Sequence, residues 1–127
     1  MSPLRIAVAG ASGRMGRTLI EAVLGTPDLA LVAAFERARH DSLDTDAGNL
    51  VGKPCGVSIT ADLDAGLARA DCLIDFTRPE ATMAHLAACL RHGTGMVIGT
   101  TGLSPQDKLA LQAAAQRAGL TAAVSPH

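Results

Sequence analysis

The chain has 127 residues, 48% of them hydrophobic and 18% charged, with 11 Lys and Arg against 12 Asp and Glu. That length suits one domain with its own core. The near-neutral charge offers no positive field for a nucleic-acid backbone, and no run approaches the roughly 18 apolar residues of a membrane span.

Leu4 to Ala9 (LRIAVA) is a short strand-like run rich in β-formers that ends in a glycine-rich turn. Arg14 to Leu24 reads as a helix, with Met15, Leu19 and Val23 at a spacing of four and Ile20 and Leu24 widening the stripe. Gly25 and Pro27 stop it. Leu29 to Phe35 is apolar throughout, as a strand covered on both faces should be. Glu36 to Gly56 is polar and reads as a loop of about 20 residues, a length that is unusual in a compact domain and often functional. Val57 to Thr60 is a weak third strand, Asp62 to Ala70 a short helix, and Cys72 to Phe76 a buried strand.

Pro79 suits the first turn of a helix running to about His92, whose stripe is Thr82, His85, Leu86, Cys89 and Leu90. Met96 to Ile98 is the next strand. Ser104 as N-cap and Pro105 open a last helix that Gly119 ends, and Leu120 to Val124 is the final strand. This alternation predicts an α/β fold: a doubly wound, Rossmann-like parallel sheet, forming a single domain over residues 1–127.

The sharpest motif is Gly10-Ala11-Ser12-Gly13-Arg14-Met15-Gly16, at the first strand–helix junction. Its spacing is G-x-x-G-x-x-G rather than the commoner G-x-G-x-x-G, but the physical logic carries over. One glycine permits the tight turn, another lets backbone amides approach a pyrophosphate, and the last permits close helix packing. The helix N-terminus then holds the anion. Placement at this junction favours a dinucleotide site over a turn that serves packing alone.

A ribose-binding acid is expected at the end of the second strand, and Glu36 stands there, 20 positions after Gly16. A carboxylate favours NADH, whereas a neighbouring arginine such as Arg37 accommodates the 2′-phosphate of NADPH. Either cofactor fits this pattern. Arg37, Arg39 and His40 read equally as part of that site or as a solvated loop face. Gly99-Thr100-Thr101-Gly102, after the fifth strand, either faces the nicotinamide half or forms an ordinary turn. Asp75, Thr77 and Arg78 end the fourth strand on the same rim.

Other chemistry is thin. Cys55, Cys72 and Cys89 lie 17 residues apart and form no C-x-x-C pair. An odd cysteine count points to a reducing compartment, hence the cytoplasm. Cys72 and Cys89 read as small buried hydrophobes and Cys55 as more exposed. The four histidines show no metal-ligand grouping, and His85 reads as a half-buried packing residue rather than a catalyst. No metal site and no catalytic residue is expected in this chain.

Gly10 to Arg17 (GASGRMGR), Phe35 to Arg37 (FER), Asp46-Ala47-Gly48, Ile74 to Glu80 (IDFTRPE) and Gly95 to Gly102 (GMVIGTTG) together resemble the 4-hydroxy-tetrahydrodipicolinate reductase family. That family, formerly called dihydrodipicolinate reductase, acts in bacterial lysine and diaminopimelate biosynthesis. The resemblance implies an NAD(P)H-dependent reduction giving tetrahydrodipicolinate. It implies cofactor contacts from Gly10, Ala11, Ser12, Gly13, Arg14, Met15, Glu36, Arg37, Gly99, Thr100 and Thr101, and from Ser125, Pro126 and His127. The family has Asn where His127 stands, followed by a second domain with the substrate-binding groups, the general acid and a tetramer interface. The chain is therefore expected to be the cofactor domain alone, without turnover of its own, and to expose the apolar patch that a returning helix would cover, which raises the risk of self-association. The small-molecule substrate would engage only with the second domain present; nucleic acid and membrane are not expected partners.

Three other readings share the glycine turn. An extended short-chain dehydrogenase needs a Tyr–Lys pair, which a chain without Tyr cannot supply. A semialdehyde dehydrogenase needs a nucleophilic Cys in a strand–helix elbow, a setting none of the three cysteines has. A nucleotide-sensing Rossmann module would not require Glu36 together with Gly99, Thr100 and Thr101.

Overall fold

The computed structural model describes residues 4–27, 29–75, 77, 79–98 and 122–124. Among the described residues six parallel strands form one sheet: β1 (Leu4–Ala9), β2 (Leu29–Phe35), β3 (Ile59–Thr60), β4 (Cys72–Asp75), β5 (Gly95–Ile98) and β6 (Ala122–Val124), in the order β3-β2-β1-β4-β5-β6. Helix α1 (Arg14–Leu24) joins β1 to β2, α2 (Leu63–Leu67) joins β3 to β4, and α3 (Pro79–His92) joins β4 to β5. The expected doubly wound parallel α/β sheet is observed. The expected last helix, Ser104 to Gly119, lies outside the described residues, as do Phe76, Arg78 and the 99–102 turn.

Alternation along β1 divides the core in two. Ala7 and Ala9 face α2 and α3, where they join Phe35, Leu67, Leu86 and Cys89. Ile6 and Val8 face α1 and meet Ile20, Val23, Leu31 and Ala47. Both faces of the sheet are thereby covered, which is why β2 is apolar at every position. The pairing of β1 with β2 is interrupted once. Ile6 faces Leu31, and Ala7 faces Ala33, so Val32 is an extra residue in β2.

Along α1 the buried positions are Gly16, Ile20 and Val23. Met15, expected in that stripe, is 43% exposed. The reason is geometric: Gly16 packs against the preceding turn and brings the 16-20-23 face inward, turning Met15 outward. On α3 the expected stripe is observed, with Thr82, Leu86 and Cys89 buried and His85 partly so.

The 36–56 segment is more ordered than its composition suggests. A 3-10 turn, Ala47–Val51, is capped by Asp46, and Leu43, Leu50, Val51, Cys55 and Val57 pack on the α1 face of the core. Asp46 holds the segment together. Its carboxylate accepts from the N–H groups of Gly48 (2.7 Å), Cys55 (3.0 Å) and Gly56 (2.7 Å), and from the Cys55 thiol at 3.3 Å.

The N–H groups of Cys55 and Gly56 draw the Asp46 carboxyl down to about 2. A folded-state value below the unfolded one (~3.9) means stabilisation that is complete above about pH 4 and lost as pH falls toward 2. Asp46→Asn puts an amide N–H₂ among three N–H donors. It should lower the urea midpoint at pH 7, with the gap to the parent closing by pH 2. An unchanged midpoint at pH 7 would show that the carboxylate does not organise this segment.

Gly66 of α2 sits directly on the Phe35 ring, where a Cβ would come within 2.4 Å of the ring carbons. Phe35 is 1% exposed and has nowhere to move. Gly66→Ala gains at most about 1 kcal/mol of helix propensity against roughly 1–3 kcal/mol of overpacking. The variant should therefore be less stable than the parent, read as a lower denaturant midpoint with unchanged slope.

Candidate functional site

The strand order reverses beside β1. The chain runs outward through β2 and β3, then crosses to β4 on the other flank of β1. In open α/β sheets ligands bind beyond the carboxyl ends of the strands at such a switch point. The ends of β1, β2 and β4 carry, respectively, the Gly10 turn, Glu36 and the Asp75–Thr77 segment.

The glycine turn is built on the carbonyl of Phe35, which accepts from Gly10 N (3.0 Å) and Ala11 N (3.1 Å). Gly10 has φ +72°, in the left-handed region that favours glycine. Its carbonyl then accepts from Gly13 N at 3.0 Å. A Cβ on Gly16 would lie 2.0 Å from that same carbonyl oxygen, so α1 can begin this close to the turn only with glycine there.

The start of α1 has no side-chain cap: Gly13 is its N-cap residue, and its first turn contains no acidic residue. The 3-10 turn and α2 are different, each capped by an aspartate, Asp46 and Asp62. The first-turn N–H groups of α1 have no intrahelical acceptor, and with the helix dipole they form a place for an anion. Arg14 and Arg17 are exposed beside it.

Glu36 is where the sequence puts it, directly after β2. Its Oε2 accepts from Ser12 N at 2.8 Å and from Ser12 Oγ. Burial pushes its pKa up, but the two Ser12 bonds and the nearby His40 outweigh that and hold the carboxyl below its usual value. Each carboxylate oxygen can accept more than one bond, so Glu36 remains able to receive hydroxyl donors. Arg37 is exposed next to it.

His40 is not part of a solvated loop face. Its side chain is 21% exposed, with Nε2 3.1 Å from Ser12 Oγ and 4.0 Å from Glu36 Oε1. Composition gives no hint of this, because the contact depends on a turn in which Arg39 has φ +69°. Arg39 itself is exposed.

Asp75 is not a rim residue. It is fully buried and holds the end of β4 in place. Its Oδ1 accepts from Thr77 N (2.8 Å) and Thr77 Oγ1, and its Oδ2 from His85 Nδ1 (2.8 Å) on α3. Burial raises the Asp75 pKa, but the His85 and Thr77 bonds outweigh it and leave the carboxyl below its usual value. The sequence signal for the His85 pairing is a histidine on an apolar stripe, whose ring nitrogen needs a buried acceptor. Thr77 faces the glycine turn, its Cγ2 3.0 Å from where a Gly10 Cβ would stand.

The cysteines offer no nucleophile. All three are free, and burial raises each thiol, Cys89 to about 12. Cys72 is half-buried rather than fully enclosed, and Cys55 is half-buried against Asp46. Among the described residues no group of three His, Cys, Asp or Glu could hold a metal ion, and no helix is long and apolar enough to cross a membrane. Gly99, Thr100, Thr101, Ser125, Pro126 and His127 lie outside the described residues.

Comparison with known proteins agrees with this architecture. The family described as dihydrodipicolinate reductase, N-terminus, matches residues 4–126. The 4-hydroxy-tetrahydrodipicolinate reductase of Bordetella parapertussis is 59% identical over 116 residues, covering 91% of this chain and 43% of the relative. That of Burkholderia lata is 57% identical over 122 residues, covering 96% and 46%. The chain thus spans less than half the length of these curated relatives.

Among solved structures, dipicolinate-bound dihydrodipicolinate reductase from Paenisporosarcina superposes with a TM-score of 0.77 at 24% identity, covering 98% of this chain and 48% of that one. Biliverdin reductase from Synechocystis, solved with biliverdin and NADP+, superposes at 0.76 with 19% identity, covering 98% and 38%. At these identities the structural matches speak for the fold, and the sequence matches for the family. The chain belongs to the dihydrodipicolinate reductase family, of whose members it corresponds to the N-terminal part.

Proposed function

We propose that residues 1–127 form the dinucleotide-binding domain of an NAD(P)H-dependent 4-hydroxy-tetrahydrodipicolinate reductase. The observation that carries this reading is the pairing of the uncapped α1 N-terminus with Glu36, bonded to the same turn through Ser12. One offers unpaired donors to a pyrophosphate, and the other offers acceptors to ribose hydroxyls. A non-catalytic nucleotide sensor would share the first feature, but the family match spans the whole described chain.

In this reading Gly10, Ala11, Ser12, Gly13, Arg14 and Met15 receive the pyrophosphate, and Glu36 orients the adenosine ribose. Arg37 meets a 2′-phosphate when one is present. Gly99, Thr100 and Thr101 would line the nicotinamide side, with Ser125, Pro126 and His127 closing the end of the sheet. The bound dinucleotide would supply the hydride. Thr77, held by Asp75 against the glycine turn, fixes the shape of the rim between the two halves. Substrate binding, proton donation and tetramer assembly would belong to the part of the relatives that this chain does not match. A biosynthetic enzyme with free thiols would work in the cytoplasm.

Calorimetric titration with NADH and NADPH tests the site directly; with no Trp or Tyr, intrinsic fluorescence is a poor signal. Saturable binding of either dinucleotide is expected, and binding of neither would refute the reading. Arg37→Ala should weaken NADPH more than NADH. Loss of a charge-assisted hydrogen bond, roughly 1.5–3 kcal/mol, corresponds to about ten- to over a hundredfold. Equal losses for both dinucleotides would remove Arg37 from the phosphate role. In the protein at its natural length, substrate-dependent oxidation of NADPH is the expected activity.

A further inference from the structure

The side chain of His40 is joined to Glu36 by a directed chain of hydrogen bonds. Ser42 N lies 3.0 Å from His40 Nδ1, and Ser42 Oγ 2.7 Å from it. A backbone N–H can only donate, so Nδ1 is the acceptor and the ring proton of the neutral imidazole sits on Nε2. That Nε2–H points at Ser12 Oγ, 3.1 Å away. Ser12 Oγ, accepting from His40, sends its own proton to Glu36 Oε2, since an ionised carboxylate can only accept. The order of donation is therefore Ser42, His40, Ser12, Glu36.

The backbone is shaped to make this possible. His40 N donates to the carbonyl of Arg37 (3.2 Å), Arg39 takes φ +69°, and Leu43 N donates to the carbonyl of His40 (3.2 Å). This turn carries the imidazole back over the glycine turn. Ser12 is held as well, its carbonyl accepting from Arg17 Nε at 3.0 Å.

We infer that His40 is a positioning residue that sets dinucleotide specificity: by fixing Ser12, it clamps Glu36 and so favours an unphosphorylated ribose over a 2′-phosphorylated one. The inference rests on the dinucleotide reading above. The physical reason is that a 2′-phosphate is repelled by a carboxylate that cannot move, but is tolerated by one free to swing away while Arg37 neutralises the phosphate. Glu36 receives two donors from Ser12, and the Ser12 hydroxyl is oriented by His40. The preference thus depends on a residue four positions along the chain as well as on the carboxylate itself.

Calorimetric titration of the protein at its natural length with NADH and with NADPH separates the outcomes, using His40→Gln and His40→Asn. A glutamine can place an amide N–H near the position of Nε2 and keep the bond to Ser12; an asparagine is too short to reach. Losing one neutral hydrogen bond corresponds to roughly two- to tenfold in affinity. His40→Asn should lower the ratio of NADH to NADPH affinity by that factor. His40→Gln should keep the parental ratio. Equal weakening of both dinucleotides in either variant, or the same ratio in both variants, would overturn the role of His40 and leave the dinucleotide reading standing. A parent protein that binds neither dinucleotide would overturn both.

Discussion

One backbone carbonyl organises the candidate site. Phe35 O accepts from two consecutive N–H groups, Gly10 and Ala11, and so fixes where β1 ends and the glycine turn begins. The same residue fills the core on the α2 and α3 side, where its ring lies under Gly66. The next residue is Glu36, which reaches back to the turn through Ser12. Core, turn and carboxylate are thus tied at one place, and the position of Glu36 follows from the packing of Phe35.

The two halves of the rim are held in different ways. On the β2 side, the exposed Arg37 follows a carboxylate bonded to Ser12, whose hydroxyl in turn meets the His40 imidazole. On the β4 side, a carboxylate with no solvent exposure holds the threonine that faces Gly10. Asp75 pays its desolvation cost through two partners, Thr77 and His85, so its contribution is rigidity rather than ligand contact. A site that must orient a long two-part ligand needs both: a stiff centre at the switch point and an adaptable polar end.

Much of this was legible in the residues. Strand–helix alternation, the glycine spacing and the acid after β2 depend on short-range patterns, and each stands where it was expected. What was not legible depends on long-range contact. The 36–56 segment reads as a polar loop because nothing in its composition shows that Asp46 collects N–H groups from Gly48, Cys55 and Gly56. Met15 has helical spacing with Leu19 and Val23, but the approach of Gly16 to the Gly10 carbonyl turns it outward. His40 reads either way and His85 as a packing residue, because their partners, Ser12 and Asp75, lie 28 and 10 positions away.

The extra residue in β2 has a consequence for where Glu36 emerges. Before Val32 the strand sends Leu29 and Leu31 toward α1; after it, Ala33 and Phe35 point to the opposite side. The bulge acts as a phase change in an otherwise unbroken apolar run, because strand side chains alternate with a period of two. Were the same seven residues to run as a regular strand without the bulge, the final positions of β2 would exchange sides: Phe35 would leave the ring's place under Gly66, and the carboxylate that follows it would turn away from the glycine loop. The facing of the site is thus written in one irregularity of the strand as much as in the chemistry of the residue that follows it.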